Sequence, residues 1–282
     1  MAILLVPTDY SAAAANAARY AAQLAQKIGA EIHLLHIYQL PMGYGGLGMQ
    51  PLDATFAPMP MMEIPIEDLK EAAESGMNRF ADALMNEYPN ITFKREVRLG
   101  GNITSDINEY SNSVEPLLVV IGSHDLHGME NWGSHVVSLV KGVHSPVLAV
   151  PADYTGAGVS NAVLASDQQP LHPQQASVIT AILQQLGASL QVVHVSSDDN
   201  EDANNIQQQI QAAFTDLQPT YTTIVNNDVT EGLQAHLQTT SADLLIILPH
   251  HHNLWERLFS KEHTSDILSG INIPILALPE HR

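Results

Sequence analysis

KIGAEIHLLHI at 27–37 and QLGASLQVVHV at 185–195 align without a gap, 158 residues apart. Each joins the end of a helix-like run, a glycine, and an apolar stretch that closes on His-Ile or His-Val. The same offset carries PTD (7–9) onto ASD (165–167), again at the end of an apolar run. Farther on, PLLVVIGSH (116–124) finds DLLIILPHH (243–251), and SPVLAVP (145–151) finds IPILALP (273–279). Islands repeated in one order mean that the chain states one design twice. The offset falls to 127 between the second and third islands, so the first half holds an insertion. That insertion is LPMGYGGLGMQPLDATFAPMPMMEIP (40–65), rich in Gly, Pro and Met. The join between the halves falls in PADYTGAGVSN (151–161), dividing the chain into units 1–151 and 152–282.

Within each half, apolar runs alternate with helix-like segments. AILLVP reads as a strand; Asp9 or Ser11 can cap the alanine-rich helix that follows, and Gly29 is placed to end it. Strand EIHLLHI, helix IEDLKEAAESGMNRFADALMNEY, strand ITFKREV, helix ITSDINEYSNS, strand LLVVIG, helix SHVVSLVKGV and strand VLAV complete the first half. The second half repeats the order from AVLAS to ILAL, with a last helix expected at TSDILSGI (264–271). LLVVI and LLIIL are apolar throughout, as parallel strands covered on both faces require. The expectation is α/β: two doubly wound, mostly parallel five-stranded units related by a pseudo-twofold axis. One continuous sheet, or His36 and His194 on non-equivalent strands, would sink the tandem reading.

Composition limits the function. With 45% hydrophobic residues the chain builds a real core. A net charge of −19 opposes nonspecific binding to nucleic acid or an anionic membrane. The absence of cysteine excludes disulfide and thiol chemistry. MAILLVPTDYS lacks a basic leader and reads as a buried strand; no run approaches a membrane span of ~18 apolar residues, and a cytoplasmic protein is expected.

The segments ILLVPTDYS, the glycine-ended helix before HLLHI, and the closing GS–SPVLAVP block resemble the universal stress protein family in its tandem two-domain form. The resemblance covers both halves. It implies a Rossmann-like fold akin to adenine-nucleotide alpha hydrolases, a stress-response role, and an adenine nucleotide (ATP or AMP, with Mg2+ left open). In nucleotide-binding members the loop after the fourth strand reads G-x2-G-x9-G-[S/T]. Here Gly133-Ser134 and Pro146 keep the family spacing to the last strand. By the resemblance, Pro7, Thr8, Asp9 and Ile37 line the adenosine side. Gly122, Ser123, His124, Gly128, Gly133, Ser134 and His135 line the phosphate side. In single-domain members the terminal strand helps form a dimer, so VLAV and ILAL should pair within this chain; further homodimerisation is left open.

The loop departs from that pattern. Asp125 stands in the place of the second glycine, and the stretch from it to Gly133 is two residues short, with Gly128 offering a flexible position nearby. Glycines let backbone N–H groups approach phosphate and a helix start adds partial positive charge; a carboxylate opposes both unless a divalent metal bridges it. The second half departs further: Pro249 replaces the first glycine, removing a donor, and Lys261-Glu262 replace Gly-Ser. His250–His252 with His263, and His124, Asp125, His127 and His135, invite metal hypotheses but lack helix ligand spacing; a solvated loop is the plainer reading. His36 and His194 fall on equivalent positions, which favours a shared packing role. The chain has no GxSxG elbow and no GxxxxGK[ST] loop, leaving at most weak ATP hydrolysis. Binding and sensing through partners, or a ligand-free interaction module, are the two expectations.

Overall fold

The structure, a computed structural model, describes residues 1–40, 65–123, 134–166, 171–196, 203–248 and 271–279. The first half runs β1 (Ile3–Pro7), α1 (Ala12–Ile28), β2 (Glu31–Tyr38), α2 (Ile66–Glu87), β3 (Phe93–Leu99), α3 (Ile103–Val114), β4 (Leu118–Ser123), α4 (Ser134–Gly142) and β5 (Val147–Pro151). The second runs β6 (Asn161–Ser166), α5 (Pro173–Leu186), β7 (Ser189–Ser196), α6 (Ala203–Ala213), β8 (Thr220–Val225), α7 (Val229–Thr240), β9 (Leu244–Ile247) and β10 (Ile275–Ala277). The helix expected at 264–271 lies outside the described residues but for its last position, as do 41–64 of the insertion.

The strand order is β3-β2-β1-β4-β5-β10-β9-β6-β7-β8. Each half therefore has the same internal order, third-second-first-fourth-fifth, with all its strand pairs parallel. The expected pairing of VLAV with ILAL is present: β5 and β10 run antiparallel, with Leu148 opposite Leu276. It also merges the ten strands into one sheet, the outcome set against two units. That criterion is mistaken: the expected pairing of VLAV with ILAL itself forces one sheet, so continuity does not decide how many units there are, and His36 and His194 lie on equivalent strands.

Alternation along the strands sends Leu4, Val6, Ile32 and Leu34 into one buried layer and Leu5, Leu35, Val119 and Ile121 into the other. α1 shows why these residues form a helix that fits. Its buried face is almost all alanine, letting its backbone lie close on the sheet, while Ser11 accepts a hydrogen bond from the Ala14 N–H and Gly29, at φ +68°, closes the end. Of the two capping candidates, Ser11 is the one that caps.

The link between halves is fastened rather than hung. Asn16 donates to the carbonyls of Pro151 and Tyr154 (both 3.0 Å), Tyr20 to that of Gly158 (3.1 Å), and Lys27 to that of Val159 (3.1 Å). Polar bridges also recur: the buried Tyr110 hydroxyl meets His33 Nδ1 at 3.2 Å, and at the equivalent, half-buried places His236 Nε2 donates to Gln191 Oε1 at 3.0 Å.

Candidate functional site

From β1 the chain passes to β2 on one side and, by way of β3 and α3, to β4 on the other, so a crevice opens beyond the carboxyl ends of these strands. There the structure has a cleft of about 200 Å³. Five of the sequence-predicted residues line it together: Pro7, Thr8, Asp9, Ile37 and Gly122. They come from three separate segments and are brought together only by the strand order.

The turn from β1 into α1 is tightly specified. The Thr8 N–H donates to the Leu35 carbonyl at 2.8 Å, extending the β1–β2 ladder, while its hydroxyl accepts from the Tyr10 N–H at 3.0 Å. Asp9 Oδ1 accepts from the Ser11 N–H at 3.0 Å. Between them Tyr10 adopts φ +65°, a left-handed conformation costly for an L-residue with a side chain. Its side chain holds it there: the hydroxyl donates to the Ala73 carbonyl at 2.8 Å, and the ring stacks on His36 at 4.2 Å. Burial pushes the Tyr10 phenol well above its ordinary range, so it stays a neutral donor.

His36 Nδ1 lies 2.8 Å from the Thr8 carbonyl. A carbonyl can only accept, so Nδ1 carries the proton. His194 Nδ1 makes the same 2.8 Å bond to the Ser166 carbonyl, and both partners of this bond keep the 158-residue offset. These two histidines each tie the second strand of a half to the end of its first.

Gly122 has a reason of its own. A Cβ there would sit 2.5 Å from the Ala13 carbonyl oxygen and 3.0 Å from the Ala14 nitrogen, so glycine is needed for α1 to seat on β4. The sequence reading gave it only the approach of phosphate. Ser123 also differs in use: its hydroxyl is buried and donates to the Val150 carbonyl at 3.3 Å, and it is not among the residues that line the cleft. His124, Gly128 and Gly133 lie outside the described residues, with Asp125, and Ser134 and His135 open α4.

One wall was missed in the sequence. Ile103, Thr104 and Ile107 of α3 and Leu139 of α4 line the cleft. The signal was present in GGN at 100–102. Gly100 leaves no room for a Cβ beside Ile37 and the Asp106 carboxylate, and Asn102 caps α3 by accepting from the Ser105 N–H at 3.0 Å. Gly142 likewise lies against the Thr104 methyl. α1 and α3 therefore both begin beside the cleft.

Its lining is apolar with a few polar groups, Thr8, Asp9, Ser11, His36 and Thr104, and holds no Lys or Arg among the described residues. Such walls suit a flat heterocycle and a sugar better than a cluster of anionic charge. Among the described residues, any phosphate contact from this half would fall to helix starts and backbone N–H groups. Among the described residues no three His, Asp or Glu gather as metal ligands, and no helix is long and apolar enough to cross a membrane.

Comparison with known proteins agrees with this fold. Residues 1–151 match the profile of the universal stress protein family. A universal stress protein from Archaeoglobus fulgidus superposes with a TM-score of 0.70 at 14% identity, covering 99% of this chain and 98% of that one. A functionally unknown protein from Pseudomonas aeruginosa superposes at 0.59 with 15% identity, over 98% and 92%. A universal stress protein in complex with cAMP covers 44% of this chain and 98% of its own at 11% identity and TM-score 0.35, a likeness too slight to carry anything further. No curated protein matches the chain.

Proposed function

The chain belongs to the universal stress protein family, and on that premise we propose that its first half, residues 1–151, binds an adenine nucleotide such as ATP or AMP. The base and ribose occupy the cleft between β1, β2, β4 and α3, and the phosphates extend toward the start of α4. The observation that carries the reading is the convergence of Pro7, Thr8, Asp9, Ile37 and Gly122 on one crevice at the switch point of the sheet. Residues 152–282 form a second domain of the same design in which Pro249 and Lys261-Glu262 have displaced the glycine cradle, so nucleotide is held on one side only. The protein acts in the cytoplasm, in a stress-related role, by sensing or sequestering nucleotide and passing that state to partners rather than by turnover.

Thermal denaturation of the full chain with ATP or AMP, each with and without Mg2+, tests this. A ligand at a hundredfold excess over Kd stabilises by about 2.7 kcal/mol, which moves the midpoint by several degrees. Phosphate release on the same samples separates a binder from an ATPase. One observation favours a second reading: the cleft's volume of about 200 Å³ lies below the ~300 Å³ at which small-molecule sites usually begin. No shift with any adenine nucleotide would select the ligand-free interaction module instead.

A further inference from the structure

Tyr10 is not among the residues that line the cleft, yet four of the polar groups there are tied to it: Thr8, Asp9, Ser11 and His36. Asp9 and Ser11 flank it in the chain and are bonded to each other across it at 3.0 Å. The Thr8 hydroxyl accepts from the Tyr10 N–H at 3.0 Å, and the His36 ring stacks on the Tyr10 ring at 4.2 Å, 28° from parallel. The Tyr10 side chain itself leads away to α2. Its hydroxyl donates to the Ala73 carbonyl at 2.8 Å, and the Phe80 ring lies 5.8 Å from its own. Between those contacts sits Gly76, where a Cβ would fall 2.7 Å from the edge of the Tyr10 ring. Ala73, Gly76 and Phe80 succeed one another at helical spacing and share one face of α2. That face is also where α2 is first held: from 66 to 74 only Ala73 is buried, and Pro65 at the start makes no side-chain cap.

We propose that Tyr10 is a positioning residue for the cleft, set from α2: the seating of Ala73 and Gly76 on Tyr10 fixes where Thr8, Asp9, Ser11 and His36 stand. The inference rests on the reading of the cleft as a nucleotide site. The lever is the backbone of Tyr10. Its φ of +65° is costly for a residue with a side chain and persists only while the surroundings over-determine it. Those surroundings are the bond to Ala73 and the close fit on Gly76 on one side, and the His36 ring on the other. Once α2 lets go, Tyr10 relaxes out of the left-handed region, and Asp9 and Ser11 move with it. The coupling runs both ways. A nucleotide lying against Thr8, Asp9, Ser11 and His36 holds Tyr10 in place, and so seats the first turns of α2. Their few buried contacts make them the part of that helix easiest to loosen.

The test is calorimetric titration of the full chain with ATP, joined to hydrogen exchange. Gly76→Ala favours the helix but displaces the Tyr10 ring, so ATP affinity should fall roughly five- to tenfold although α2 is not weakened. Tyr10→Phe keeps the ring and loses only the bond to Ala73; a fall of roughly threefold is expected. In a Tyr10→Gly background the ring is gone, and Gly76→Ala should change the affinity no further. ATP should slow exchange over residues 66–76 in the wild type and not in Tyr10→Gly. Without nucleotide, Gly76→Ala should speed exchange over residues 8–14. Unchanged ATP affinity in Gly76→Ala overturns the proposal, as does an equal loss in the Tyr10→Gly background or unaltered exchange over 8–14. A wild type that binds no adenine nucleotide overturns the coupling to ligand together with the reading beneath it. Exchange over 8–14 then decides alone whether α2 sets this turn.

Discussion

Gly122→Ala should loosen the seat of α1 on the sheet. The added Cβ would lie 2.5 Å from the Ala13 oxygen, 2.6 Å from its carbonyl carbon and 3.0 Å from the Ala14 nitrogen. Ordinary carbon–oxygen contacts begin near ~3.3 Å, so the first turn of the helix must retreat by nearly ~1 Å. The atoms in the way are backbone, and Ala13, Ala14, Ala17 and Ala18 are all buried against the sheet, so the strain cannot be relieved by a rotamer change. Overpacking of this kind costs ~1–3 kcal/mol, here toward the upper end. The gain from a less flexible unfolded chain, ~0.4–1 kcal/mol, offsets a part. A net loss of about 2 kcal/mol follows, a fall in Tm of ~4–8 °C. Urea denaturation followed by circular dichroism measures it directly. Because Ser11 and Ala14 also line the cleft, nucleotide affinity should fall with it. A variant within ~0.5 kcal/mol of wild type would refute the close-approach argument and return Gly122 to a role in the loop alone.

Asn16→Ala strips the Pro151 and Tyr154 carbonyls of their side-chain donor; a loss of ~1–2 kcal/mol and faster proteolysis within 151–159 are expected. Burial holds His236 below the ordinary histidine value of 6.5. The unfolded chain therefore takes up a proton that the folded one resists, so this contribution is full above about pH 6.5 and lost as pH falls below it. Measured against His236→Gln, wild-type stability should decline across that window, and parallel pH profiles would show the burial to be unimportant. Asp125→Gly should raise ATP affinity roughly fivefold at low salt by removing a like charge near the phosphates. If Asp125 instead holds Mg2+, calorimetry would find weaker binding, and only with magnesium present.

How far the sequence could be read follows the range of each interaction. LLVVI and LLIIL announced buried parallel strands because every position is apolar, and the 158-residue offset foretold that His36 and His194 would share a role. They do, down to the same bond to equivalent carbonyls. The cleft's β1 and β2 side was accessible through the resemblance at PTD and HLLHI. Its α3 wall was only half legible: GGN marks a tight turn and the cap of a helix, but not that this helix start will line the cleft. The second demand on Gly122, the approach of α1, was hidden because it is a contact across more than a hundred residues. The Asn16, Tyr20 and Lys27 clamp on the link was likewise hidden in a run that reads only as alanine-rich helix. β3 strand bounds moved from ITFKREV to Phe93–Leu99, where pairing with β2 rather than local pattern sets the ends.

The account turns on where a nucleotide sits, and photo-crosslinking with 8-azido-ATP followed by peptide mapping asks that directly. Labelling is expected on first-half peptides carrying Pro7–Ala14, Ile37 or Ile103–Ile107, competed away by unlabelled ATP and absent from the second half. Label recovered around Ser166 and His194, or no competable label anywhere in the chain, would contradict it.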